Sequence, residues 1–348
     1  FDKWDFLMIL LFYEETTMTK KRKIIISICV VFSIIFAICG GFLGLIISRN
    51  TRLNTIDFSS LFGSSNKVVL FIGDGMGFNH IKATSSFYER EMFMTSFENQ
   101  GQVSTFSNAL FSPTDSAAAA SSLATGKKYD NKEVSRHRGT DIQTISELAK
   151  AKGIGVGIVT TDNLYGATPA SFSSHANKRG DTDQIILGQL TSNIDLFLGA
   201  GKNTYENYKQ TLIDKGYNYQ NDLSLLQMNQ AKQFGVFESV VATNGSNTSP
   251  TLEMLTDYAV NYLEANFPNG YFLMIEGAHI DKRSHSNDIF GMMSYLNSFD
   301  KSIELCHSKL QSQTNVTLIV TADHETGGLK YSNQTKDELN NSLYTRSG

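Results

Sequence analysis

The chain is poor in cysteine. Its 348 residues include only three, and two of them, Cys29 and Cys39, lie in an apolar stretch near the N-terminus. Cys306 stands alone in the remainder, so the main domain can build neither a disulfide framework nor a thiolate zinc site. Any metal there has to be held by Asp, Glu, His and hydroxyl groups. An excess of positive charge is also missing. The net charge is −4 and the pI is near 6.0, which leaves no electrostatic footprint for nucleic acid and makes nucleic acid an unexpected partner. Two loop signatures are absent as well. Without G-x-S-x-G no hydrolase-type triad is indicated, and without G-x-x-x-x-G-K-[ST] nucleotide-driven phosphoryl transfer is not indicated.

A long apolar run is present. Met18 reads as a start, followed by the basic run Lys20-Lys21-Arg22-Lys23, with residues 1–17 as an upstream extension. Ile24 to Ser48 carries no charge until Arg49 and is long enough for a transmembrane signal-anchor. The basic run before it predicts an inside N-terminus for residues 1–23, with the rest of the protein outside the cytoplasm. The competing reading is a cleaved signal peptide and secretion. Residues 49–66, polar and rich in Ser and Asn, read as a linker.

From Lys67 onward, short apolar runs alternate with amphipathic stretches, which predicts an α/β fold with a mainly parallel central sheet and helices on both faces. Strands are expected at 68–72, 155–161, 196–198, 271–275 and 316–321, and helices at 116–125, 142–152, 251–266 and 289–310. The polar, weakly patterned residues 202–250 read as an insertion over the core rather than sheet.

Three of the expected strands end in a carboxylate: V-V-L-F-I-G-Asp74, Y-F-L-M-I-Glu276 and T-L-I-V-T-A-Asp323. In a parallel α/β sheet the ligand crevice lies beyond the carboxyl ends of the strands. Carboxylates converging there repel one another, and a divalent cation is the usual remedy. Any one of these acids alone reads equally well as a helix cap. His324 follows Asp323, and His285 lies four residues after Asp281, a spacing that lets both face one metal. His80, His137 and His307 read as surface residues, and His175 and His279 as neighbours of the motifs with no assigned role. Ser116, in S-P-T-Asp115-Ser116-A-A-A-A, is a candidate nucleophile at a helix N-terminus. Alone, that segment reads as an ordinary N-cap.

With these residues in view, the sequence resembles the alkaline phosphatase family. G-Asp74-G-M-G, T-Asp115-Ser116-A, A-Thr168-P-A, E-G-A-H-I-Asp281-K-R-S-His285 and T-A-Asp323-His324-E-T-G-G occur in the family's order from about Lys67 to the C-terminus. The resemblance implies phosphate monoester hydrolysis through a phosphoserine on Ser116, with two zinc ions and one magnesium per subunit, and a homodimer. Asp74, Asp323 and His324 would hold the zinc beside Ser116, Asp281 and His285 the other zinc, and Asp74, Thr168 and Glu276 the magnesium. Arg179, positioned by Asp115, would bind phosphate, with Lys282 close to it. The competing functions are a superfamily phosphodiesterase or sulfatase and a membrane-tethered phosphate-binding pseudoenzyme.

Two departures from the family pattern stand out. Gly166 occupies the place where some members carry an acid for the magnesium site. No histidine follows His324, where the family has a further zinc ligand in a G-H-T context, and the chain is therefore expected to be a C-terminal truncation. On that expectation, residues 49–348 supplied with zinc and magnesium turn over p-nitrophenyl phosphate only weakly. Full turnover in that assay would overturn the expectation.

Overall fold

In the computed structural model the described residues are 66–332 apart from 110–111 and 230–231, together with 334, 336 and 338. The strands in chain order are β1 (Lys67–Gly73), β2 (Arg136–His137), β3 (Thr140–Asp141), β4 (Gly155–Asn163), β5 (Leu196–Ala200), β6 (Tyr217–Gln220), β7 (Lys232–Phe237), β8 (Tyr271–Glu276) and β9 (Val316–Ala322). Seven of them form one sheet in the order β6-β7-β5-β4-β8-β1-β9, while β2 and β3 make a separate small hairpin. Every pairing in the large sheet is parallel.

The central strands are buried on both faces, which is why β1 reads K-V-V-L-F-I-G without alternation. Successive side chains of β1 nevertheless divide between two cores. Val69 and Phe71 join a cluster with the helices Leu252–Asn266 and Ile289–Leu310. Val68, Leu70 and Ile72 join another with Ala120, Ala124, Ile145 and Ala149 from the helices Ser116–Thr125 and Ile145–Ala151. Thr144 and Glu147 cap the latter helix reciprocally, and Thr251 caps the former pair's first member through Met254 N–H.

Register sets the level of the strand ends. Gly73 pairs with Ala322 and Ile72 with Glu276. Asp74 and Asp323 therefore leave neighbouring strands at the same height, with Glu276 just below them between β1 and β4.

Two expectations need correction. The 202–250 segment does not simply lie over the core, because it supplies β6 and β7 to one edge of the sheet. Phe234, Val236 and Phe237 are buried there, which gives β7 enough apolar surface to pair despite its polar neighbours. The membrane anchor, the extracytoplasmic placement drawn from it and the membrane as a partner are likewise without support. Residues 24–48 lie outside the described residues, and among the described residues no helix is long and apolar enough to cross a membrane. The longest, Ile289–Leu310, packs on the sheet and carries Asp300, Lys301, Glu304 and Lys309.

Asp300 is fully buried yet well met. Its carboxylate pairs with Arg90 at 2.9 Å and accepts from the backbone N–H groups of Phe93 and Met94, both at 2.9 Å. Asp300→Ala strands those donors and the guanidinium, and should lower unfolding free energy by about 3 kcal/mol in a urea titration.

Candidate active site

The sheet's carboxyl end brings together residues far apart in sequence. Asp74 and Glu276 come directly off β1 and β8, and Asp323 follows β9. All three are buried. Gly75 permits the turn after Asp74. Its φ is +69°, and a Cβ there would lie 2.8 Å from Thr326 Oγ1 and 2.9 Å from the Asp281 backbone. Gly75 N–H also donates to Asp323 Oδ1 at 3.0 Å, so the β1 and β9 ends are pinned to each other.

Ser116 opens the helix Ser116–Thr125, with Asp115 as N-cap accepting from Ala118 N–H at 3.0 Å. Only 4% of Ser116 is exposed. Its Oγ lies 3.4 Å from Asp74 Oδ1 and 3.2 Å from His324 Nε2. His324 Nε2 in turn lies 3.5 Å from Asp74 Oδ1 and 3.4 Å from Asp323 Oδ2. Arg179 Nη1 reaches Asp115 Oδ2 at 3.4 Å from the solvent side. Asp115 Oδ1 also accepts from Lys132 N–H at 3.0 Å, which fixes the carboxylate that the guanidinium meets.

Asp281, in the first turn of the helix His279–His285, accepts from Thr326 Oγ1 and lies 3.4 Å from His285 Nε2. The His285 side chain is 71% exposed, so it marks the outer rim. Thr168, in the helix Ala167–Ser173, has a buried Oγ1 with no well-formed hydrogen bond, close enough to the Glu276 carboxylate to favour its ionised form. Asp74, Ser116, Asp281, Asp323 and His324 are thus brought together, with Thr168 beside Glu276 and Arg179 reached through Asp115.

The charges are strongly uncompensated. Burial pushes Asp74 well above the ordinary carboxylate range, and the neighbouring Asp323, Glu276 and Asp281 push it the same way. Burial, followed by the charge of Asp162, pushes Glu276 up to about 8. Burial also raises Asp323, although His324 and the N–H groups of Gly75 and His324 pull it back. A crowd of acids that resist ionisation, with the buried Asp323 Oδ2 lacking a well-formed hydrogen bond, fits a divalent cation. Asp74, Asp281 and His324 lie close enough together to hold one. A second such group, Asp130, Glu133 and His137, lies apart. There the Glu133 oxygens already meet Asp130 N–H, Arg138 N–H and the His137 ring, and Asp130 pairs with Arg138.

Comparison with known proteins agrees with the site. The alkaline phosphatase family profile matches residues 65–345. The chain belongs to the alkaline phosphatase family. Alkaline phosphatase 3 of Bacillus subtilis is 31% identical over 285 residues, covering 75% of this chain and 61% of its own length. The chain therefore spans about three fifths of the length of that curated alkaline phosphatase, and the same holds for alkaline phosphatase 4 of that organism, 32% identical and 61% covered. The alkaline phosphatase of the Antarctic bacterium TAB5 superposes with a TM-score of 0.71 at 30% identity, covering 76% of this chain and 81% of that one. A variant of that alkaline phosphatase with magnesium bound in its M3 site gives 0.69 at 29% identity.

Several site neighbours escaped the sequence reading. Thr160 Oγ1 donates to Glu276 Oε2, and Asp162 pairs with Lys282. Asp162 was open to the same reasoning as the other acids, because G-V-G-I-V-T-T-Asp162 is a fourth buried strand ending in a carboxylate. His80, expected at the surface, is buried, with its ring between Gly77 N–H at 3.2 Å and Ser284 Oγ at 3.1 Å. His175 lies outside the site, between Ser135 O at 2.7 Å and Glu147 Oε1 at 2.9 Å. His279 stacks on Tyr295, and burial pushes it down to about 4.

The raised carboxyls give a signed expectation. Their folded-state values exceed the unfolded ones, so without a cation the folded form binds more protons. Stability is then full below the ordinary range and is lost as pH rises towards the Glu276 value of about 8. A bound divalent cation removes that loss. Chelation should therefore lower the melting temperature more at about pH 8 than at about pH 5. An equal drop at both would count against cation binding by these carboxylates.

Proposed function

We propose that this alkaline phosphatase family member hydrolyses phosphate monoesters with the help of divalent cations, through a phosphoserine on Ser116. The observation that carries the reading is the approach of Ser116 Oγ to Asp74 Oδ1 and His324 Nε2, at 3.4 and 3.2 Å, amid buried acids that lack a counter-charge. Asp74, Asp323 and His324 would hold one zinc and Asp281 and His285 another, a mixed nitrogen and oxygen set that suits zinc. Asp74, Thr168 and Glu276 offer only oxygen, which suits magnesium. Magnesium in the M3 site of the TAB5 variant is in line with that assignment. When bound, such cations ease ionisation of the serine hydroxyl and offset charge on the departing oxygen.

The chain's own residues supply the rest. Ser116 presents its hydroxyl from the first turn of a ten-residue helix, where the dipole favours a phosphate anion. Asp115 holds Arg179, whose planar guanidinium suits two phosphoryl oxygens of a dianionic monoester. Lys282 adds positive charge on the same side. The Ser116 Oγ–phosphorus bond forms as the bond to the alcohol oxygen breaks, and the alcohol leaves with the electron pair and takes up a proton. Water then cleaves the serine phosphate, restoring the hydroxyl and releasing inorganic phosphate.

Acid quenching of the zinc- and magnesium-supplied protein with a monoester should leave phosphate on the Ser116 peptide by mass spectrometry. Ser116→Ala should abolish that label and lower turnover by at least about 1,000-fold. A label elsewhere, or faster turnover of diesters than of monoesters, would refute the reading.

A further inference from the structure

The Gly166 position is where the family pattern is broken, and the structure shows what fills the space. A Cβ on Gly166 would meet Asp162 Oδ2 at 2.5 Å and Asp162 Cγ at 3.1 Å. The Asp162 carboxylate, delivered from the end of β4, therefore stands where a side chain at 166 would begin. Thr168 lies two residues further on, and Thr160, level with Glu276 in the β4–β8 register, donates its hydroxyl to Glu276 Oε2. Thr160 Oγ1 also accepts from Asp162 N–H at 2.8 Å, which ties the two acids through one side chain. Asp162 Oδ1 receives Lys282 Nζ and the Asn163 N–H at 2.7 Å, while Oδ2 turns towards Gly166. Lys282 directly follows Asp281.

We infer that Asp162 replaces the acid missing at 166: one carboxylate that completes the all-oxygen magnesium side with Glu276 and Thr168 and holds Lys282 towards the phosphate side. The inference rests on the function proposed above. Three features favour it over a purely structural ion pair. The side chain is mostly buried while its lysine partner is 44% exposed. Thr160 links it directly to Glu276, accepting from Asp162 N–H and donating to Glu276 Oε2. The glycine opposite is what makes room for it. Asp162 is thus a positioning residue, reaching the substrate through Lys282 and through the cation.

The test uses the zinc-loaded full chain and magnesium titrations followed by calorimetry. Asp162→Asn keeps the shape, and should weaken magnesium by about 10- to 100-fold while zinc content stays the same. Asp162→Ala combined with Gly166→Asp puts a carboxylate back from the other side and should recover most of the affinity. Lys282→Ala frees the Asp162 carboxylate, so magnesium should bind more tightly while KM for the monoester rises. Unchanged magnesium affinity in Asp162→Asn overturns the inference. So does a loss that the double variant fails to recover, or a Lys282→Ala change in the same direction as Asp162→Asn. A parent chain that binds no magnesium or zinc at all would instead sink the proposed function itself.

Discussion

Negative charges held close together in a dry interior repel, and that repulsion is the constraint on which this structure turns. β1, β4, β8 and β9 each deliver a carboxyl group to the same end of the sheet, as Asp74, Asp162, Glu276 and Asp323. Nothing in local backbone preference demands this. It makes sense only if a positive partner belongs among them, and burial raises the stakes because a low-polarity surround magnifies both the repulsion and its relief. Lys282 answers part of the charge from the rim, where it pairs with Asp162.

The surrounding packing keeps those groups from drifting apart. Two apolar layers grip the same strands from opposite faces, with Phe71 against Phe299 on one side and Phe172 against Phe272 on the other. Side chains locked this way cannot relax outward to dilute their charge. The alanine run after Ser116 has a related role. Ala117, Ala118 and Ala120 are buried with almost no exposure, so the helix bearing the serine lies close against its neighbours.

Much of this was legible from sequence where periodicity and burial coincide. The strand expected at 68–72 is observed at Lys67–Gly73, and the helix expected at 289–310 is observed at those limits. The carboxylate pattern at strand ends located the site because parallel topology sends all such ends to one side. What was illegible depended on distant partners or on short polar strands. Y-N-Y-Q at β6 is an edge strand with alternate burial, and only its pairing with β7 identifies it. His80 sits inside because Ser284, 204 residues later, receives its ring. Asp162, by contrast, is legible, because Thr160 and Thr161 are as buried as the rest of β4 and the carboxylate comes at the strand's end.

His285 stands 71% exposed while Ser116, across the same cluster, is 4% exposed. Solvent access therefore falls from the His285 rim of the cluster to the Ser116 floor. On the proposed chemistry this gradient separates two conflicting needs. Attack on phosphorus calls for a hydroxyl shielded from competing water, whereas release of the phosphate calls for a water to enter. With the serine at the closed end and the histidine at the open end, the shape of the cleft sets the order in which the two nucleophiles can reach the same atom.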